Sequence, residues 1–169
     1  MERAVRFAPL LALLIVAFLR WGLQIQVSMF TALVASGRYD DIDSAITEKN
    51  FPIVIPDDLE DIEGHLLNFG SIKIQDAATR LRKEGFQPAT FTLLLLFNSL
   101  YPNPQRYYRT IALGSLTTLP GGMHAVQLDW RDGVHRDLTL TWVGASCESD
   151  CAFLAVKVPP PQMRSGKTI

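Results

Sequence analysis

Two runs of alternating apolar residues on either side of Asp132-Gly133 constrain the fold of this chain more than any other sequence feature. Apolar residues stand at 126, 128 and 130 in the stretch 124–130, and at 138, 140 and 142 in the stretch 138–142. Such alternation is typical of half-buried strands, and Asp-Gly is a strong signal for a tight hairpin turn. The sequence therefore predicts two antiparallel strands. Trp130 and Trp142 share the parity of the apolar residues and are expected in the core.

The order of the remaining patterns predicts an α+β fold with two or three short helices and a mostly antiparallel sheet. Helices are predicted after an N-cap at Ser28, over 75–84, and after an N-cap at Thr90. Further strands are predicted at 23–27, 65–69, 107–115 and 152–158. Because helices dominate the first half and strands the second, alternating βαβ units are disfavoured. The helix after Thr90 is apolar nearly all round, which predicts a central helix covered on several sides.

Length and composition indicate one domain with two appendages. A chain of 169 residues with 48% apolar and 20% charged residues can bury a core without a metal or a disulfide. The predicted parts are an apolar N-terminal segment at 1–20, a single α+β domain at 21–158 and a Pro-rich disordered tail at 159–169. A net charge of −1 offers no general attraction for nucleic acid, so no nucleic-acid partner is expected.

The uncharged run Phe7–Leu19 lies between Arg6 and Arg20 and has the form of a signal-peptide core. It is shorter than the roughly 20 residues that span a bilayer. Large residues follow it, so an uncleaved signal-anchor is favoured over a cleaved signal. The alternatives are a buried helix and an extension from an upstream start codon. The run predicts a membrane-anchored or exported protein with membrane contact through Phe7 to Leu19, and a cytoplasmic protein is the alternative.

No motif in the sequence identifies a catalytic centre. G-x-S-x-G, P-loop and G-x-G-x-x-G patterns are all absent from the sequence, so no catalytic, cofactor-binding or metal-binding residue is assigned. Asp129 and Asp137 face each other across the predicted hairpin and are expected to be surface charges. An enzyme whose site is assembled only by the fold would bring His65 beside Asp40 or Asp43.

Two clusters of potential ligands leave alternatives open. Cys147 and Cys151 form either a small disulfide in an oxidising compartment or a pair of reduced thiols, since zinc usually needs four ligands. Asp40, Asp41 and Asp43 favour a solvated turn over a calcium loop, because the ligand spacing of an EF-hand is missing.

Short motifs occur in a fixed order from about Leu23 to Val158. They are Gly37-Arg38-Tyr39-Asp40, Ile46-Thr47 with Asn50-Phe51-Pro52, Gly85-Phe86-Gln87-Pro88-Ala89-Thr90, Tyr101-Pro102, Ile111-Ala112-Leu113-Gly114-Ser115 and Phe153-Leu154-Ala155-Val156-Lys157. On these motifs the chain resembles a family of small uncharacterised bacterial proteins. The resemblance implies no known activity and no site residues. Where that family has a charged helix, this chain has Thr92–Leu96, and the Phe7–Leu19 run is a second departure; both make this chain more hydrophobic.

The same motif order resembles C-type-lectin-like domains. The matching features are a helix opened by Pro-Ala-Thr, a Gly-Ser strand, a hairpin and a closing Phe-Leu-Ala-Val-Lys strand. That resemblance implies that Leu23–Val27 pairs with Ala152–Lys157 and that long loops carry a ligand site. The calcium-loop motif and the two disulfides of lectins are absent from the sequence, so sugar binding by the lectin mechanism is not implied.

Together these features favour a non-enzymatic binding or interaction module with a protein, peptide or glycan ligand. Of the neighbours Tyr107 and Tyr108, one is expected to face inward, and the outward one is a candidate ligand contact. The alternatives are an enzyme and a structural or accessory membrane-associated subunit. An exposed apolar patch around Phe91–Phe97 would favour the accessory subunit.

Overall fold

A computed structural model describes residues 5–6, 28–57 and 59–157. The helices are α1 (Met29–Ser36), α2 (Ile74–Lys83) and α3 (Phe91–Leu100), with 3₁₀ turns at Leu59–Asp61 and Pro104–Arg106. The strands are β1 (Val5–Arg6), β2 (Asp41–Ile42), β3 (Glu63–Leu67), β4 (Ile72–Lys73), β5 (Gln87–Pro88), β6 (Arg109–Leu119), β7 (Gly122–Arg131), β8 (His135–Trp142), β9 (Ser146–Cys147) and β10 (Cys151–Lys157). The predicted α+β class is confirmed.

One sheet organises the fold, with strands in the order β1-β3-β10-β6-β7-β8-β2 and with β5 also paired to β10. Most neighbours are antiparallel, as predicted, but β10 runs parallel to β6 and β2 runs parallel to β8. Strands β4 and β9 form a separate antiparallel ribbon. The sheet is therefore mixed, and β10, the last strand of the described residues, lies in its interior between β3 and β6.

The predicted hairpin at Asp132-Gly133 is present between β7 and β8. Both residues have positive φ angles, 55° and 71°, and the Val134 amide donates to the Arg131 carbonyl at 3.1 Å. Left-handed conformations at two consecutive positions match the twist of the flanking strands, and glycine adopts them without strain. The turn chemistry read from the sequence therefore sets the register of these two strands.

Two hydrophobic cores lie on opposite faces of the sheet. The first core packs between the sheet and helices α1 and α3, and the second lies beneath α2 and the β4–β9 ribbon. Every residue of Phe91–Phe97 is buried, which confirms the central position predicted for this helix. Phe91–Phe97 therefore form no exposed apolar patch, which is the feature that would have favoured an accessory subunit.

The helix ends follow the predicted capping residues. The Ser28 hydroxyl accepts from the Thr31 amide at 3.2 Å, and Gly37 follows the last residue of α1. Helix α2 stops at a left-handed Gly85 with φ of 85°. Such caps satisfy backbone groups that a helix end otherwise leaves without partners.

Trp142 is not in the core. Its side chain is 51% exposed and lies against the backbone of Gly122 and Gly144 at the end of β8, where the absence of a Cβ leaves room for the indole. Trp130 is half-buried, with the Arg106 guanidinium 4.5 Å from its ring centre. The alternation of side chains along the strands did not predict the burial of these two rings, because they lie near the ends of their strands, beyond the best-covered part of the sheet.

Tyr107 and Tyr108 are both exposed, 74% and 40%, so the prediction that one faces inward is wrong. Their amides both donate to the Pro104 carbonyl in a turn, and β6 begins only at Arg109. The alternation of a strand does not apply before that residue.

Several predictions fall on residues that the structure does not describe. They concern Phe7–Leu19, the strand at Leu23–Val27 and the tail at 159–169. Over 153–156, however, β3 occupies one edge of β10 while β6 and β5 occupy the other. The pairing of Leu23–Val27 with Ala152–Lys157 that the C-type-lectin resemblance implies involves residues outside the described ranges. None of the helices in the described ranges is long and apolar enough to cross a membrane.

Candidate functional site

An open groove of about 710 Å³ lies where α2, β5, α3 and β6 meet. Its lining residues are Arg82, Gly85, Phe86, Gln87, Pro88, Thr90, Leu113 and Gly114. Two of the motifs noted in the sequence, Gly85–Thr90 and Ile111–Ser115, thus converge on one surface. The groove combines an apolar floor with polar groups at its rim, which is the usual make-up of a ligand site.

The end of α2 builds one wall of the groove. Gly85 takes the left-handed conformation that a side chain would disfavour, and the Phe86 amide then donates back to the Leu81 carbonyl at 3.0 Å. This turn reverses the chain and directs Phe86 into the second core, where its ring lies 4.9 Å from the His65 ring. Arg82 is left exposed on the last turn of the helix, at the rim of the groove.

A bulge in β6 builds the opposite wall. The register between β6 and β7 shifts between Ala112 and Leu116, and the Gly114 amide donates to the Ala89 carbonyl at 2.8 Å. A Cβ on Gly114 would lie only 2.6 Å from the Pro88 oxygen. Glycine is therefore required for β6 to approach the start of α3 so closely.

The first amides of α3 already have partners. The Phe91 amide donates to the Ser115 hydroxyl at 2.9 Å, and the Leu93 amide donates to the Thr90 hydroxyl at 3.4 Å. Because these donors are engaged, the helix start is poorly suited to bind an anion.

Beyond the bulge, one edge of β6 has no partner within the described ranges. Strand β10 pairs only with residues 109–112 of β6, and β5 then takes over the edge of β10. Residues 116–119 pair with β7 on their other side alone. We call Leu116–Leu119 the free edge; it begins two residues after Gly114, so the groove and the free edge form one continuous surface.

The free edge lacks the features that normally protect an unpaired strand. Its sequence, Leu-Thr-Thr-Leu, has no charged residue and no proline, and Leu116 is 41% exposed. Natural edge strands are commonly blocked by lysine, proline or a covering element, because their amides and carbonyls otherwise attract another strand. This edge is therefore chemically suited to pair with an added strand.

The pairing of His65 with Asp40 or Asp43 does not occur. His65 lies on β3, whereas the two aspartates flank β2, at the other side of the sheet. The His65 ring is instead 3.6 Å from the Glu63 carboxylate. The fold thus keeps this histidine away from the carboxylates proposed for it.

Asp129 and Asp137 do lie opposite each other across the hairpin. Asp137 is only 4% exposed, so the expectation that both are surface charges is wrong for this residue. Its carboxylate forms an ion pair with Arg131, whose Nε lies 2.8 Å from Oδ2, and its Oδ1 accepts a hydrogen bond from Arg131 Nη2 at 3.4 Å; this pairing raises the pKa of Arg131. The paired guanidinium compensates the charge of the buried aspartate, which is a structural role.

The cysteine pair and the aspartate cluster, whose roles the sequence left undecided, have structural roles as well. Cys147 and Cys151 are joined in a disulfide. The Asp40 carboxylate accepts from the Arg136 amide at 2.8 Å, and that of Asp43 accepts from the Ala45 amide at 2.8 Å. No group of three or more potential metal ligands occurs in the part of the chain that the structure describes.

Comparison with known proteins does not identify this fold or its site. No family model, no curated protein and no solved structure matches the chain. The functional argument therefore rests on the groove and the free edge.

Proposed function

We propose that this protein is a non-enzymatic binding module that takes up an extended peptide segment of a partner protein. The carrying observation is the free edge, Leu116–Leu119, which is partly exposed, uncharged and continuous with the groove. On a strand with one paired edge, every second residue directs its N–H and C=O groups to the other edge. Those groups would bind the main chain of the added segment, and the groove would hold its side chains.

The position of the groove beside the free edge favours a peptide over a second copy of this chain. The free edge is only four residues long, so pairing between two such edges would bury little surface and leave the groove empty. An extended segment that continues from the free edge past Gly114 would fill both. Apolar contacts with Leu113 and Phe86 would then add to the main-chain hydrogen bonds.

The test is selection of peptides from a phage-displayed random 12-residue library on the full-length protein. Affinity of the selected peptides is then measured by fluorescence anisotropy for wild type, Leu116→Lys and Met123→Lys. Lysine at the free edge should weaken binding about tenfold or more, corresponding to about 1.4 kcal/mol. Met123 is the matched control, because it is 47% exposed on the adjacent strand of the same hairpin, and binding should change less than about twofold.

Three outcomes would overturn the proposal. One is the failure of any peptide to be enriched, and another is an equal effect of the two lysine variants. The third is a stable dimer in light scattering whose amide exchange protects residues 116–119, which would assign the free edge to a second copy of the chain.

A further inference from the structure

The charge in the groove suggests which peptides it selects; this inference rests on the proposed function. Arg82 is the only charged residue in the lining, and the other lining residues are neutral. A bound segment therefore meets one positive charge at the rim and no negative charge among the groove residues.

Arg82 differs from Arg80 on α2 in having no carboxylate partner among the residues described. Arg80 Nε lies 3.1 Å from the Glu84 carboxylate, and the Arg80 guanidinium lies 4.4 Å from the centre of the Phe69 ring. That ion pair occupies Glu84, which is the acidic residue nearest to Arg82 in the sequence. The Arg82 guanidinium thus keeps its five donors available for a ligand.

The apolar floor of the groove adds a second selection, for an apolar side chain in the bound segment. Leu113 and Phe86 both line the groove and are apolar; Phe86 is half-buried, and Leu113 is 6% exposed and contributes a small part of the surface. In an extended segment, residues two positions apart point to the same side and lie roughly 7 Å from each other. One such residue can face this apolar floor while the other reaches the rim.

We propose that the partner segment carries an acidic side chain that pairs with Arg82, and an apolar side chain two positions away that packs on Leu113 and Phe86. A carboxylate suits the guanidinium because it can accept two parallel N–H donors. Since Arg82 is exposed, solvent screens the pair, and its effect on affinity is modest.

The test is a double-mutant cycle with the tightest selected peptide. Each acidic residue of the peptide is changed to its amide, and binding is measured to wild type, Arg82→Gln and Lys83→Gln. For one acidic position, the amide should weaken binding to wild type by about three- to fivefold and leave binding to Arg82→Gln unchanged. Lys83 is the matched control, an exposed cation outside the groove lining, and its variant should retain the acid preference.

The outcomes separate this inference from the proposed function. If peptides still bind in a Leu116-dependent way but acid-to-amide changes have equal effects on wild type and Arg82→Gln, the acidic preference is overturned and peptide binding stands. Selected peptides without any acidic residue would overturn it in the same way. If binding does not depend on Leu116 at all, the proposed function itself fails.

Discussion

At the scale of single residues, Asn98 joins three parts of the molecule. Its Nδ2 donates to the Tyr39 hydroxyl at 3.0 Å and to the Gly37 carbonyl at 3.4 Å, and its Oδ1 accepts from Arg136 at 3.4 Å. The end of α1, helix α3 and strand β8 therefore meet at one buried amide. Burial raises the pKa of Tyr39 well above its ordinary value, and the hydrogen bond from Asn98 opposes that rise only in part.

Tyr39 should make the fold sensitive to alkaline pH. The unfolded chain releases the phenolic proton near pH 10, whereas the folded chain retains it, so the free energy of unfolding should fall as the pH rises above about 10. Below that pH, Tyr39 should contribute no pH dependence. Urea unfolding between pH 8 and pH 11 should show a shallower decline for Tyr39→Phe than for wild type. Tyr107→Phe, at an exposed position, should decline like wild type; equal slopes for all three would contradict the prediction.

Gly114 should be the least replaceable residue of the groove wall. In Gly114→Ala the new methyl group would meet the Pro88 and Ala89 oxygens at 2.6 and 2.7 Å, so β6 or the start of α3 must shift. We expect a loss of about 1–3 kcal/mol in the free energy of unfolding, as for other overpacked sites. Ser115→Ala removes only the hydroxyl that caps the Phe91 amide and should cost about 1 kcal/mol. A Gly114→Ala protein as stable as wild type would refute this account.

At the scale of elements, sequence patterns predicted the helix caps and the hairpin turn, which depend on local chemistry. The caps at Ser28 and Thr90 and the turn at Asp132-Gly133 are present because each depends on residues adjacent in sequence. The two-residue strands β2, β4, β5 and β9 were not predicted. They are too short to show a period, and each exists only through the edge that a distant strand offers.

The groove could not be predicted from the sequence, because it too depends on contacts between segments that are distant in the chain. Pro88-Ala89-Thr90 and Gly114-Ser115 were recognised as motifs, but their contact depends on β5 and β6 sharing one edge of β10. The only local signal was Gly114 itself, a glycine inside a strand pattern, which often marks a bulge or a close approach of backbone. The sequence around Arg82 gave no signal of a binding site, since an arginine in the last turn of a helix is ordinary.

The disulfide closes the loop between β9 and β10 and should stabilise it. That loop is also held by Asn68, whose Nδ2 donates to the Ser149 and Cys151 carbonyls at 2.7 and 2.8 Å. Cross-linking residues four positions apart removes little freedom from the unfolded chain, so Cys147→Ser/Cys151→Ser should cost about 2 kcal/mol. Urea unfolding with and without dithiothreitol measures the stabilisation by the disulfide, and the unfolding midpoint of the double variant should not change with the reductant. An unchanged midpoint for wild type under reduction would contradict a stabilising role.

At the scale of the whole molecule, β10 belongs to both cores at once. Phe153 and Ala155 pack in the core beneath α2, while Leu154 and Val156 pack in the core beneath α1 and α3. Successive side chains of a strand point to opposite faces, so one strand ties the two cores together. The two faces of the sheet should therefore not melt independently.

Truncating β10 on either face should destabilise the entire fold. Phe153→Ala should cost about 3–5 kcal/mol and Leu154→Ala about 2–5 kcal/mol, because both side chains are almost fully buried. Each variant should still unfold in a single transition when followed by calorimetry and by tryptophan fluorescence. Two resolved transitions, one for each core, would contradict the coupling proposed here.

The position of β10 in the chain has a consequence for biosynthesis. The strand that pairs with β3, β5 and β6 is also the last described element, so a ribosome completes the other strands and helices of the described ranges before β10. Until residues 151–157 emerge, the edges of β3 and β6 and the apolar surface of α3 lack their common partner. Nascent chains at this stage expose surface that is prone to aggregation. The protein should thus acquire protease resistance abruptly, once Lys157 has left the ribosome, rather than in proportion to its length.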